Sequence, residues 1–164
     1  MSQLTFFFDY SSPYAYLAAT QVERVAGDHA IHWHPFFLGG LFKAIGTPMV
    51  PLSTFAPAKQ RYAMLDMGRW ADHHGVPFAF PSRFPMNTIA ALRMTVQLAN
   101  AERGKLAVPM FKAYWAEDRD INDEAELIRI ADDAGLDGKA LYAGCSEPTV
   151  KEKLKDLTVA AEEA

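Results

Sequence analysis

The stretch Thr5-Phe-Phe-Phe-Asp-Tyr-Ser-Ser-Pro-Tyr-Ala-Tyr-Leu-Ala18 constrains this chain more than any other. A short aromatic run predicts a buried strand. The Ser-Pro step that follows predicts a helix with Ser12 as N-cap and Pro13 at its first position. The Ser12 hydroxyl then lies beside backbone N–H groups that have no partner within the helix, where an anion could be held. A serine that only caps its helix satisfies the same pattern.

The helix from Pro13 is expected to reach Ala26 and stop at Gly27. Ala30 to Phe37 alternates Ile31 and Trp33 with His32 and His34, which predicts a second strand. The resulting β-α-β unit makes the two strands parallel. His32 and His34 share a face that is expected to meet solvent. No third ligand stands at a recognisable spacing, so no metal site is expected.

Gly39 to Phe55 reads as a punctuated loop carrying Lys43 among apolar neighbours. Pro57 opens a helix to His74 with Ala63, Met67 and Trp70 as its buried stripe, and Asp66 and Arg69 are placed to pair on its surface. Pro77 to Pro85 is extended, because each proline biases its predecessor away from the α region. Asn87 or Thr88 then caps a helix to Glu102 that buries Ile89, Leu92, Val96 and Ala99. A further helix follows Gly104, with Pro109 tolerated in its first turn. Asn122 caps a helix to Ala134, a short one spans Gly138 to Ala143, and the last buries Val150, Leu154, Leu157 and Ala161. Two strands make a poor sheet by themselves, so something that completes it is expected to come from elsewhere.

With 164 residues and a formal net charge of −4, the chain can build a sizeable core and carries no basic footprint for nucleic acid or anionic membrane. No apolar run is long enough to span a bilayer, and a cytoplasmic protein is expected. Cys145 cannot form an internal disulfide and has no nearby basic activator, which favours a structural thiol.

On Phe7-Phe-Asp-Tyr-Ser-Ser-Pro-Tyr-Ala-Tyr-Leu17, Phe37-Leu-Gly-Gly-Leu-Phe-Lys43, Pro57-Ala-Lys-Gln-Arg-Tyr62, Asp66, Arg69-Trp70, Gly75-Val-Pro-Phe78, Phe84-Pro-Met-Asn-Thr88 and Ala113-Tyr-Trp-Ala-Glu-Asp-Arg-Asp-Ile121, the chain resembles the 2-hydroxychromene-2-carboxylate isomerases. That family groups with kappa-class glutathione transferases in the DsbA-like branch of the thioredoxin fold. The resemblance implies an α/β thioredoxin-like fold with an inserted all-helical subdomain. Residues 1–38 would form its N-terminal β-α-β part, residues 39–144 the loop and helical insertion, and residues 145–164 a helix returning to the thioredoxin-like part. The family continues with a cis-proline strand, a further strand and a closing helix, so the native chain is expected to extend beyond Ala164.

The positions of the thioredoxin Cys-x-x-Cys are here Ser12, Pro13, Tyr14 and Ala15, which excludes dithiol exchange. The resemblance implies glutathione as cofactor, with Ser12 catalytic through a hydrogen bond to its sulfur and with Ser12 and Pro13 in contact with it. It implies Lys43, Ser53, Thr54 and Phe84 as the lining for an aromatic ketoacid, and a possible homodimer. The implied reaction is conversion of 2-hydroxychromene-2-carboxylate, or a similar intermediate of aromatic hydrocarbon and naphthalene degradation, to trans-o-hydroxybenzylidenepyruvate. A kappa-like transferase or peroxidase, or a non-catalytic fragment, is the alternative.

Overall fold

The computed structural model describes residues 3–164. Strand β1 (Gln3–Phe8) pairs in parallel with β2 (Ala30–Pro35), Phe6 opposite Trp33, and helices α1 (Pro13–Ala19) and α2 (Val22–Ala26) make the crossover. The single helix expected from Pro13 to Ala26 is therefore two. Thr20 Oγ1 donates to the Leu17 carbonyl at 2.7 Å and Gln21 N turns back to Ala18, the kind of local side-chain competition that ends a helix.

One face of the sheet is aromatic. Phe6 and Phe8 meet the Trp33 ring edge-on at 5.4 and 5.9 Å, and Phe8 continues to Tyr10 and Phe111. The opposite face corrects the expectation for His34, which is buried: its Nε2 lies 2.9 Å from the Leu157 carbonyl of α10 (Pro148–Glu162). That helix returns to the strand pair and covers the face that the alternation had suggested was solvent-exposed.

The outer edge of β2 is closed by side chains instead of a strand. Asn100 accepts from Trp33 N and donates to the Ile31 carbonyl, each at 2.8 Å, while Arg103 Nη1 donates to the Trp33 carbonyl at 2.8 Å. Both residues lie on α7 (Asn100–Trp115), and this helix also corrects a boundary. The preceding helix, α6 (Ile89–Gln97), stops before Leu98, leaving Ala99 exposed, and α7 runs through Gly104 with Pro109 in its interior. Gly104 does not separate two helices. Its missing side chain admits the Trp33 ring, since a Cβ there would lie 2.9 Å from ring atoms. An interior proline costs about 3 kcal/mol. Met110, Phe111, Tyr114 and Trp115 are fully buried just beyond it, at about 1.5–3 kcal/mol each, and their burial outweighs that loss.

The segment expected to be a loop contains two short helices, α3 (Leu38–Ala44) and α4 (Pro51–Thr54). The next helix, α5 (Pro57–His74), has the expected bounds and ends at Gly75 with φ +66°, but its buried positions are Met67 and Ala71. Trp70 faces outward and stacks on His74, and Asp66 accepts from the Tyr14 hydroxyl at 3.1 Å. Extended chain containing a cis Phe84–Pro85 peptide leads to Thr88 at the start of α6. Beyond α7, Asp123 and not Asn122 caps α8 (Glu124–Asp133), and Asp137 caps α9 (Gly138–Gly144). Cys145 is buried and its thiol pKa is raised by that burial, against the pull of Arg93, a basic neighbour that the sequence had not suggested.

Candidate functional site

Ser12 caps α1 as its sequence predicted. Its backbone is extended, and Oγ accepts from Ala15 N at 3.2 Å. Because the cap uses only a lone pair of the oxygen, the hydroxyl proton remains available to a second partner. With α1 only seven residues long, the hydroxyl, more than the helix dipole, is the polar feature of this corner.

Ser12, Pro13 and Tyr14 form one wall of a cleft of about 250 Å³. Leu38 and Phe42 enter from α3, Val50, Leu52 and Phe55 from the following turn and α4, Met67 from α5, and Phe80, Phe84 and Pro85 from the extended segment. Phe84 is held there by Phe80 at 5.0 Å and Trp115 at 5.9 Å. An adjoining hollow of about 360 Å³ shares Ser11, Leu38, Phe42 and Pro85 with the cleft and extends it toward Asn87 and Thr88.

The backbone beneath the cleft is fixed by a residue that the sequence reading passed over. Asp9 is 1% exposed. Oδ1 accepts from Ser11 N (2.9 Å) and Thr88 Oγ1 (2.7 Å), and Oδ2 from Leu38 N (2.8 Å). One carboxyl thus ties the serine turn, the start of α3 and the start of α6. Desolvation raises its pKa above the ordinary aspartate value against the pull of those donors. Trp115 Nε1 donates to the Tyr10 carbonyl at 2.7 Å, and the Tyr10 hydroxyl bonds Thr95 at 2.6 Å, which closes the clamp. The available signal was a charged residue inside Phe-Phe-Phe-Asp-Tyr, since carboxylates are seldom buried unless partnered.

The other expected lining residues stand elsewhere. Lys43 is exposed in the last turn of α3 and does not line the cleft. Ser53 and Thr54 are also outside it, and their hydroxyls donate at 2.7 Å to the Val50 and Pro51 carbonyls of their own turn. A cation that the sequence did not suggest, Lys59, sits 3.9 Å over the ring of Phe55.

The family profile described as a DSBA-like thioredoxin domain matches residues 3–164. The chain belongs to the DsbA-like thioredoxin family. It is 27% identical over 162 residues to a 2-hydroxychromene-2-carboxylate isomerase of Pseudomonas putida, covering 95% of this chain and 77% of that protein. A solved 2-hydroxychromene-2-carboxylate isomerase superposes with a TM-score of 0.87 at 25% identity, over 99% of this chain and 80% of that one. Glutathione S-transferase kappa 1 of Caenorhabditis elegans is 24% identical over 148 residues, 83% of this chain and 64% of that protein. In this chain the corner reads Ser12, Pro13, Tyr14 and Ala15 and holds no dithiol.

Proposed function

We propose that this chain is a glutathione-dependent isomerase of a 2-hydroxychromene-2-carboxylate-like ketoacid, working in the cytoplasm as a homodimer. The observation that supports this reading is a serine hydroxyl with a free proton facing an apolar cleft. Glutathione would supply a thiolate that adds reversibly to the conjugated double bond, permits rotation and leaves again.

Ser12 and Pro13 would hold the sulfur, and Phe84 with Phe80 would flank the aromatic ring. A hydrogen bond to a charged acceptor is worth about 1.5–3 kcal/mol. A net gain of about 2 kcal/mol brings a thiol of pKa about 8.5 to about 7, half ionised at neutral pH. Serine donates this proton without ionising. The hollow beside Ser11 and Asn87 offers room for the rest of the tripeptide.

The test is incubation with glutathione and the ketoacid while the thiol titre and the cis-to-trans conversion are followed. Conversion at constant titre is expected. Consumption of the thiol would replace this reading with that of a kappa-like transferase, which the absence of charged side chains in the described cleft lining also suits.

A further inference from the structure

A groove between α3, α6 and α10 shares no lining residue with the Ser12 cleft, although Phe37 and Ile89 also border the hollow beside that cleft, and it carries two cations, Arg93 and Lys151, that the described residues do not neutralise. Arg93 of α6 is half-buried, and its Nε is fully buried with no hydrogen-bond partner. Its guanidinium makes no ion pair among the described residues. Arg119 also has one buried unpartnered nitrogen, Nη2, but it is paired with Glu126 at 2.7 Å, and Arg103 donates to the Trp33 carbonyl, so what sets Arg93 apart is a guanidinium with neither an ion pair nor a hydrogen bond among the described residues. Lys151 of α10 opens on the same groove without an acidic partner among the described residues, and Lys155, paired with Glu152 at 3.0 Å, stands one turn further.

Arg93 Nε is closed off, but the residue lines the groove and its charge is unpaired, so an anionic acceptor in the groove would meet the more accessible part of the guanidinium. Phe37, Ile89, Leu154 and Val159 give the groove apolar walls, Thr158 and Glu162 are its remaining polar lining, and its volume is about 290 Å³. Lys151 and Glu162 mark its ends on α10, about 16 Å apart at 1.5 Å per residue. The two lysines gather at one end and the carboxylate stands at the other. We infer that the groove binds a small organic monocarboxylate, its head on Arg93 and Lys151 and its apolar tail along Leu154 and Val159. The planar fork of Arg93 matches a carboxylate, and Glu162 disfavours a second anionic group at the far end.

The test uses sodium octanoate as probe and octan-1-ol as its neutral counterpart, with the full chain, by calorimetry and by the arginine Nε–H resonances in nitrogen-15 spectra. Saturable octanoate binding that moves the Arg93 Nε–H signal is expected, with octan-1-ol markedly weaker. Arg93→Gln should weaken octanoate about tenfold or more, and Lys151→Gln, an exposed change that leaves the core untouched, should weaken it several-fold. Absence of saturable octanoate binding, equal affinity for octan-1-ol, or wild-type affinity in both variants would overturn the inference. Ser12→Ala should leave this affinity unchanged, which separates it from the isomerase reading. Loss of octanoate binding in Ser12→Ala would place the probe in the other cleft and overturn the assignment.

Discussion

Thr88 Oγ1 donates to Asp9 Oδ1 at 2.7 Å, joining the end of β1 to the start of α6 across 79 residues of sequence. Both side chains are buried, so neither can turn to water if the other is removed. Thr88→Val should lower the stability by about 1–3 kcal/mol in chemical denaturation, and Thr88→Ser should recover most of it. Equal stability of the Val and Ser variants would show that the bond contributes nothing.

Asp9 also sets a pH dependence. Its folded pKa is raised by burial, so the folded state holds this proton more tightly than the unfolded state. The stability it contributes is therefore fully present below the ordinary aspartate pKa and declines as pH rises through the folded value. The difference in unfolding free energy between wild type and Asp9→Asn should fall as pH rises from about 4. A difference that grows over that range would reverse the assignment.

Ser12→Ala should reduce the glutathione-dependent rate by about 10²–10³-fold while removing only about 1 kcal/mol of capping. Ser11 reaches Asp9 chiefly through its backbone N–H, which Ser11→Ala keeps while losing only a smaller side-chain contact to the same carboxyl, so that variant should lose far less activity. Steady-state kinetics on the pair decides between them.

Lys43 is exposed and outside the cleft lining, so Lys43→Ala should change KM for anionic and neutral electrophiles alike and only slightly. A rise confined to the anionic substrate would bring the ammonium into contact with it after all.

Gly104→Ala tests packing against propensity. In an isolated helix the change gains about 1 kcal/mol. Here the new Cβ would meet the Trp33 ring at 2.9 Å, and overpacking typically costs about 1–3 kcal/mol. A lower melting temperature is expected.

The sequence by itself determined the features that depend on a few neighbouring residues. The parallel strand pair, the Ser12 cap with Pro13, and the extent of α5 from Pro57 to His74 were all legible from local spacing. The DsbA-like family was legible from the motifs around them. Phe84, which the resemblance implied, lies in the cleft wall, whereas the placement of Lys43, Ser53 and Thr54 outside it depends on which way α3 and α4 turn. Only the tertiary structure decided which faces are covered. His34 is buried because α10 returns over it, Gly104 lies within a helix because Trp33 packs there, and Asp9 becomes a junction because three distant segments bring their donors to it. Caps and turns act within about four residues of chain, whereas burial of a side chain is set by elements tens of residues away, whose approach no local pattern encodes.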